Sequence, residues 1–378
     1  MKYKRSPSAE VLQPRVLALV QLPPPIHGAA LRNFEFCEYL QGRSDLQLRV
    51  VAIGGGGAID RVGVVSLVKI ARGVKIVLTA IALFMSYAYS RKKTYVYITP
   101  APSGLALWRD ALLVALATYL FGLEVVAHFR ATGIEKQASF SKWVLACSYR
   151  SARAIAMSRI AAKDIFSIFD RSRIDIVQNG IKDYSNTLVR SATDEEFTVL
   201  HLSNLCREKG TDDAIRAFAQ AYSRNNNMKL VLAGAWASKR DEVYCRELIK
   251  RSGIEKATEL AGKVGGEDKW NVFHKADCFI FPTKYPKECF PGVVLEAMSC
   301  GLATVAYKHA SIPEILTDGI DGALADVGDV NHLSLILSEL LDNKILRIKI
   351  GKNAREKFIS RFRAELTHPL LTTAIFGK

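Results

Sequence analysis

The feature that most constrains this chain is a repeated unit: a short apolar run that ends in a loop, followed by a stretch with apolar residues at helical spacing. Arg15 to Gln21 runs into Pro23-Pro24-Pro25 and His27-Gly28-Ala29-Ala30, and Leu31 to Leu40 then repeats every three to four residues. The pattern reads as strand, loop, helix. It recurs with strands expected at Leu48–Ile53, Tyr95–Thr99, Glu124–Phe129 and Ile174–Gln178, and with helical stretches at Val64–Ser90, Leu105–Phe121 and Ala138–Phe169. Strands that alternate with helices need crossovers and build a parallel sheet covered on both faces. The 378 residues exceed one ordinary core. Asp183 to Glu196 is polar and aperiodic, after which a second α/β series begins. Its strands are expected at Phe197–Leu202, Met228–Ala233, Thr258–Leu260, Cys278–Pro282 and Ala303–Tyr307, and its last helix at Val330–Phe362. The division is therefore residues 1–188, residues 189–362, and a C-terminal segment 363–378 that packs back on the first domain. Two such domains share one natural site, the crevice facing the carboxyl ends of both sets of strands.

Composition narrows the function classes. Seven scattered cysteines without a CxxC pair suggest neither a disulfide framework nor a zinc knuckle, and they fit a reducing cytosol. Met1–Pro14 carries Lys2, Lys4 and Arg5 with no apolar stretch behind them, unlike a secretory signal. The uncharged runs Ile76–Tyr89 and Ala111–Leu123 are short of the ~20 residues a span needs, so they read as helices on a sheet, with interfacial contact by the first as the alternative. Charge is lopsided: residues 1–190 hold 26 Lys and Arg against 12 Asp and Glu, whereas the remainder is nearly balanced. Such a field draws polyanions, and an anionic membrane surface or a phosphorylated acceptor fits it. Nucleic acid is not expected, because no face interleaves aromatic with basic residues. Gly54–Gly57 follows a strand but lacks the third glycine and the downstream acid of a dinucleotide loop, so it reads as a flexible loop. No Asp-x-Asp and no paired histidines occur, and neither a metal nor another cofactor is expected.

The densest chemical signal lies after the apolar strand ending at Pro282. Glu288 precedes a helix, Pro291 sits where a first turn tolerates proline, Glu296 lies inside, and Gly301 stops it. Free backbone N–H groups near Gly292 and Val293 suit a diphosphate. The flanking carboxylates suit sugar hydroxyls, Glu288 for a donor sugar and Glu296 for a ribose.

This stretch, Glu288-Cys-Phe290-Pro-Gly-Val-Val-Leu-Glu296-Ala-Met298-Ser-Cys-Gly301, resembles the retaining glycosyltransferases of family 4, whose pattern is E-x-F-G-x-x-x-x-E-A-M-A-x-G. It departs from that pattern at Pro291, with Gly292 following. Leu202-Ser203-Asn204-Leu205-Cys-Arg207-Glu-Lys209-Gly210 resembles the family's G-R-L-x-x-x-K-G, with Asn204 where arginine is typical. The resemblance implies a GT-B fold, two tandem Rossmann-like domains facing a central cleft. It also implies sugar transfer from a nucleotide-sugar with retention and without a metal. The donor is a UDP-sugar in the first reading and GDP-mannose in the second. Lys209 and Arg207 would neutralise the diphosphate, with Phe290, Pro291, Gly292 and Val293 around it. Lys263 and Val264 would lie by the base, His128 by the donor sugar, and His27, Gly28 and Ala29 in the acceptor loop. Ser311-Ile-Pro313-Glu314 matches the family and also reads as a capping box. The acceptor expected is lipid-linked, such as a polyprenyl phosphate, or a saccharide, met at the inner face of the cell membrane. A non-catalytic nucleotide-sugar-binding scaffold is the alternative.

Overall fold

The computed structural model describes residues 13–24, 28–54, 67–184 and 196–377. His27, most of the Gly54–Gly57 loop and the boundary between the two α/β series lie outside the described residues. The order in the first half is β1 (Arg15–Val20), α1 (Gly28–Gln41), β2 (Gln47–Ala52), α2 (Leu67–Ala88), β3 (Thr94–Ile98), α3 (Gly104–Ala115), β4 (Glu124–Phe129), α4 (Ser139–Tyr149), β5 (Arg153–Ala156), α5 (Arg159–Lys163) and β6 (Ile174–Ile176). Six parallel strands form one sheet in the order β2-β1-β3-β4-β5-β6.

The second half contains β7 (Phe197–Leu202), α6 (Thr211–Tyr222), β8 (Met228–Ala233), α7 (Lys239–Arg251), β9 (Thr258–Gly262), α8 (Gly266–His274), β10 (Cys278–Phe281), α9 (Gly292–Ser299), β11 (Ala303–Tyr307), α10 (Ile312–Ile315), β12 (Ala323–Ala325), α11 (Val330–Asp342) and α12 (Lys344–Arg361). Its parallel sheet is ordered β12-β11-β10-β7-β8-β9. A last helix, α13 (Ala364–Phe376), leaves this unit and lies on the first one. Tyr95 meets Phe376 edge to face, His368 sits against Phe36 and Tyr39, and the Arg153 guanidinium donates to the carbonyls of Ala374 and Ile375 at 2.6 Å each.

The central strands explain themselves. β1, β3, β4, β10 and β11 are buried nearly throughout, as parallel strands with helices on both faces must be, and they are correspondingly continuous in apolar residues. Each sheet divides two cores. In the first unit, Phe84, Leu107 and Leu145 occupy the α2–α3–α4 side, while Phe36 and Tyr97 occupy the α1 and α13 side.

Three expectations are corrected. The helical reading of Ala138–Phe169 contains a strand, β5, whose sequence Arg-Ala-Ile-Ala has no alternation to betray it. The helix expected over Val330–Phe362 is two, because the Asn343 side chain caps α12 by accepting from the Leu346 amide at 2.9 Å. The uncharged run Ile76–Tyr89, too short to span by itself, belongs to a longer helix: Ile70–Ala88 is long and apolar enough to cross a membrane by length and composition. Phe84, Ala80 and Ile76 of that helix are nevertheless committed to the core beneath it.

Candidate active site

Loops at the carboxyl ends of both sheets meet. After β4, the Thr132 hydroxyl donates to the carbonyls of Pro286 and Glu288 at 3.3 and 3.2 Å, and the Lys287 ammonium donates to the Ser103 hydroxyl at 3.0 Å. The cleft between the domains is therefore lined on the second side by the loop that carries Glu288 and by the start of α9.

Two residues 79 positions apart are brought together there. The Lys209 ammonium lies 2.7 Å from a Glu288 carboxylate oxygen, which also accepts from the Thr283 hydroxyl at 3.3 Å. Lys209 further rests over the Tyr285 ring, 4.4 Å from its centroid. Gly210 makes this approach feasible. Its φ of 77° is left-handed, and a Cβ there would stand 1.9 Å from the Pro282 carbonyl oxygen, so no other residue fits without moving the strand end. Pro291 caps α9 with extended backbone, and Gly292 and Val293 open it. Their amides have no carbonyl a turn earlier to bond, which leaves positive partial charge at the tip. A Cβ on Gly292 would meet nothing within 4 Å, so the tip faces open space. Phe290 is buried beneath it against Phe362.

Glu296 is buried and fully engaged. Lys269 from α8 pairs with it at 2.6 Å, and Arg32 from α1 of the other domain approaches to 3.9 Å while pairing with Glu35 at 2.7 Å. Burial raises the Glu35 carboxyl pKa, an effect that Arg32 and Lys182 partly offset. Glu296 thus joins a buried charge network across the domains, and a ribose would have to compete with Lys269 for it.

Arg207 does not join Lys209. Its guanidinium lies 3.3 Å from an Asp241 oxygen and over the Tyr244 ring, on the α6–α7 side. Asn204 is exposed, and Val264 packs half-buried on the core under α8 and α9. Gly28 and Ala29 open α1, and a Cβ on Gly28 would meet open space. His128 is 2% exposed: Tyr97 meets its Nδ1 at 2.7 Å, and its Nε2 is buried with no partner. Burial, with help from Arg130, holds its pKa well below the usual imidazole range, so the ring is neutral. The capping-box reading of Ser311 and Glu314 is corrected. Ser311 caps nothing with its side chain, and Glu314 instead accepts from the Arg159 and Ile160 amides of the other domain at 3.0 and 2.7 Å. That role was invisible in the sequence, because a capping box and a cross-domain cap require the same residue type. No three His, Cys, Asp or Glu side chains gather into a metal site among the described residues.

Two parallel α/β domains meeting at their strand ends, with a lysine–glutamate pair beside an open helix tip, define the GT-B architecture. Residues 189–357, most of the second domain, match the family described as glycosyl transferases group 1. Over 175 residues the chain is 29% identical to N-acetyl-alpha-D-glucosaminyl L-malate synthase of Bacillus anthracis, covering 46% of this chain and 43% of that protein. Over 188 residues it is 28% identical to a GDP-mannose-dependent monoacylated alpha-(1-6)-phosphatidylinositol monomannoside mannosyltransferase of Corynebacterium glutamicum, 48% of each chain. The matches thus span about half the length of these relatives. The fold resembles Anabaena HepE in complex with UDP and glucose, with a TM-score of 0.70 at 18% identity over 97% of this chain and 100% of that one.

Proposed function

We propose that the protein transfers a hexosyl group from a nucleotide-sugar to a lipid-linked or saccharide acceptor in bacterial surface polysaccharide or glycolipid synthesis, working at the inner face of the cell membrane. The observation that carries this reading is the Lys209–Glu288 pair under the amide tip of α9. A diphosphate reaching that tip meets the Gly292 and Val293 amides and takes Glu288's place beside Lys209. Glu288 is thereby released to the hydroxyls of the donor sugar. As the bond from the sugar to the diphosphate breaks, negative charge grows on the departing phosphate, and the lysine and the helix tip stabilise it from fixed positions. This division of labour asks no metal of the chain. Retention follows from the family resemblance, with the departing phosphate taking the acceptor proton. His128 serves as a neutral ring whose free Nε2 donates or accepts one hydrogen bond. The donor is a UDP-sugar in the first reading, which the UDP-bound fold relative supports, and GDP-mannose in the second, which the Corynebacterium relative supports.

The test is incubation with UDP- and GDP-sugars, following nucleoside diphosphate release and the anomeric configuration of the product. Release that survives in Glu288→Ala at the native rate overturns the role given to Glu288. Thermal stabilisation by a nucleotide without any release selects the alternative, a nucleotide-sugar-binding scaffold, which Asn204 in place of arginine favours.

A further inference from the structure

Helices α2, α3 and α4 form one layer over the first sheet, and their inward sides share a core at Phe84, Leu107 and Leu145. Their outward sides are apolar as well. Val74 and Leu78 of α2, Trp108 and Leu112 of α3, and Phe140 and Trp143 of α4 are all exposed, the last two by 73% and 63% and stacked on each other. The pairs fall four, four and three residues apart, which makes a stripe on each helix opposite its buried side. A water-soluble monomer seldom leaves so much contiguous apolar and aromatic surface bare.

Charge selects the occupant. From Leu67 to Arg150 there are eleven Lys and Arg and three acids, Asp110, Glu124 and Glu135. Each acid is already ion-paired, with Arg109, Lys93 and Lys142 respectively. A second copy laid on this face would set two positive fields against each other, whereas anionic headgroups complement it. Exposed Trp beside basic residues is the composition that settles at a lipid–water boundary. Phe84, Ala80 and Ile76 anchor α2 on the core beneath it, which leaves that helix unable to cross a bilayer without breaking those contacts. The face also adjoins the cleft: Ser103, bonded to Lys287, precedes α3 directly, and Thr132, bonded to the Glu288 carbonyl, leads into α4.

We propose that the α2–α3–α4 face seats the protein on an anionic bilayer, with Leu78, Trp108, Phe140 and Trp143 at headgroup depth. The mouth of the cleft between Ser103 and Thr132 then opens at the lipid surface. The seating stands by itself, and the supply of a lipid-linked acceptor through that mouth rests on the transferase reading above.

The experiment is flotation of the full chain with phosphatidylcholine vesicles, with and without phosphatidylglycerol, together with quenching of its tryptophan emission by lipids brominated on their acyl chains. Binding is expected only with phosphatidylglycerol, and it weakens with added salt. Phe140→Ser with Trp143→Ser cuts the bound fraction at least tenfold, on the order expected for two lost aromatic anchors. Trp108→Phe with Trp143→Phe removes most of the quenching. Nucleotide-induced thermal stabilisation of the variants shows that they are folded. A double variant that floats like the parent overturns the seating, as does a parent that ignores anionic vesicles, and in both cases donor turnover leaves the transferase reading intact. Flotation without donor turnover does the reverse. A parent that dimerises through Phe140 and Trp143 and does not float assigns the face to self-association and overturns the seating.

Discussion

At the residue scale, the contrast between Lys209 and Arg207 is instructive. Both are cations in one short loop after β7, yet one faces Glu288 and the other Asp241. Arg207 to Lys209 is a single 3₁₀ turn. Residues two apart in a turn of three residues point about 120° from each other, so the two charges cannot converge on one phosphate. Lys209→Met is therefore expected to lower turnover by about 10² to 10³, as loss of one preorganised charge contact does. Arg207→Met should change it far less, and steady-state kinetics on the pair of variants checks the difference. Lys209, Glu288 and the α9 tip were legible because each belongs to an ordered motif with a strand before it and a helix after it. The engagement of Glu296 by Lys269 and Arg32 was not, since those partners lie on other helices and one on the other domain.

His201 carries a second prediction at this scale. Fully buried, its ring contacts the Ile280 carbonyl and the Thr211 and Ser203 hydroxyls, and so braces the loop that presents Lys209. Burial pushes its pKa down to about 4. The unfolded chain then binds more protons below about pH 6.5, so the ring's contribution to stability is complete above that value and is lost as pH falls toward 4. The loss is on the order of 3 kcal/mol. Denaturant unfolding of the native protein and of His201→Gln at pH 7.5 and pH 4.5 measures it, and the variant is expected to show the shallower pH dependence.

At the element scale, α13 does the most with the least sequence signal. Thr367, His368, Leu371, Thr372 and Ile375 are buried, but the helix mixes hydroxyls and an internal Pro369 with its apolar residues, so the expected return of residues 363–378 to the first domain had no clean stripe behind it. Its partners, Phe36, Tyr97 and Tyr95, come from elements more than 250 residues earlier. Ile375→Ala, in a wholly buried position, is expected to cost about 2 to 4 kcal/mol. The loss should fall on the first domain, and hydrogen exchange at β1 and β3 reads it there. Strand β5 escaped detection for the opposite reason: four residues rich in alanine sit in the sheet because neighbours on both sides place them there, not because their own pattern demands it.

At the scale of the whole molecule, the two α/β units follow from alternating patterns that any long parallel sheet must show, whereas the way they touch depends on particular side chains far apart in the sequence. The seam sets Thr132 on two carbonyls, Lys287 on Ser103, Ser158 against Ser311, Glu314 on two amides and Arg32 near Glu296, around Met157, Ala161 and Ile181 packed into the core of the second unit. Glu314→Ala strips the Arg159 and Ile160 amides of their acceptor. It is expected to leave UDP affinity unchanged while lowering turnover several-fold through weaker closure. Isothermal titration with UDP beside turnover measurements separates the two effects.

Ile181, near the end of the first unit, lies beside Phe362 to Ala364, where the chain returns to it. The Ile181 amide donates to the Phe362 carbonyl at 3.0 Å, and the Ala364 amide donates to the Ile181 carbonyl at 2.8 Å. A door hung on two pins set close together along one edge swings about that edge and resists twisting. Separation of the lobes is therefore expected to turn about the Ile181–Arg363 line, carrying Glu288 away from Thr132 along one arc.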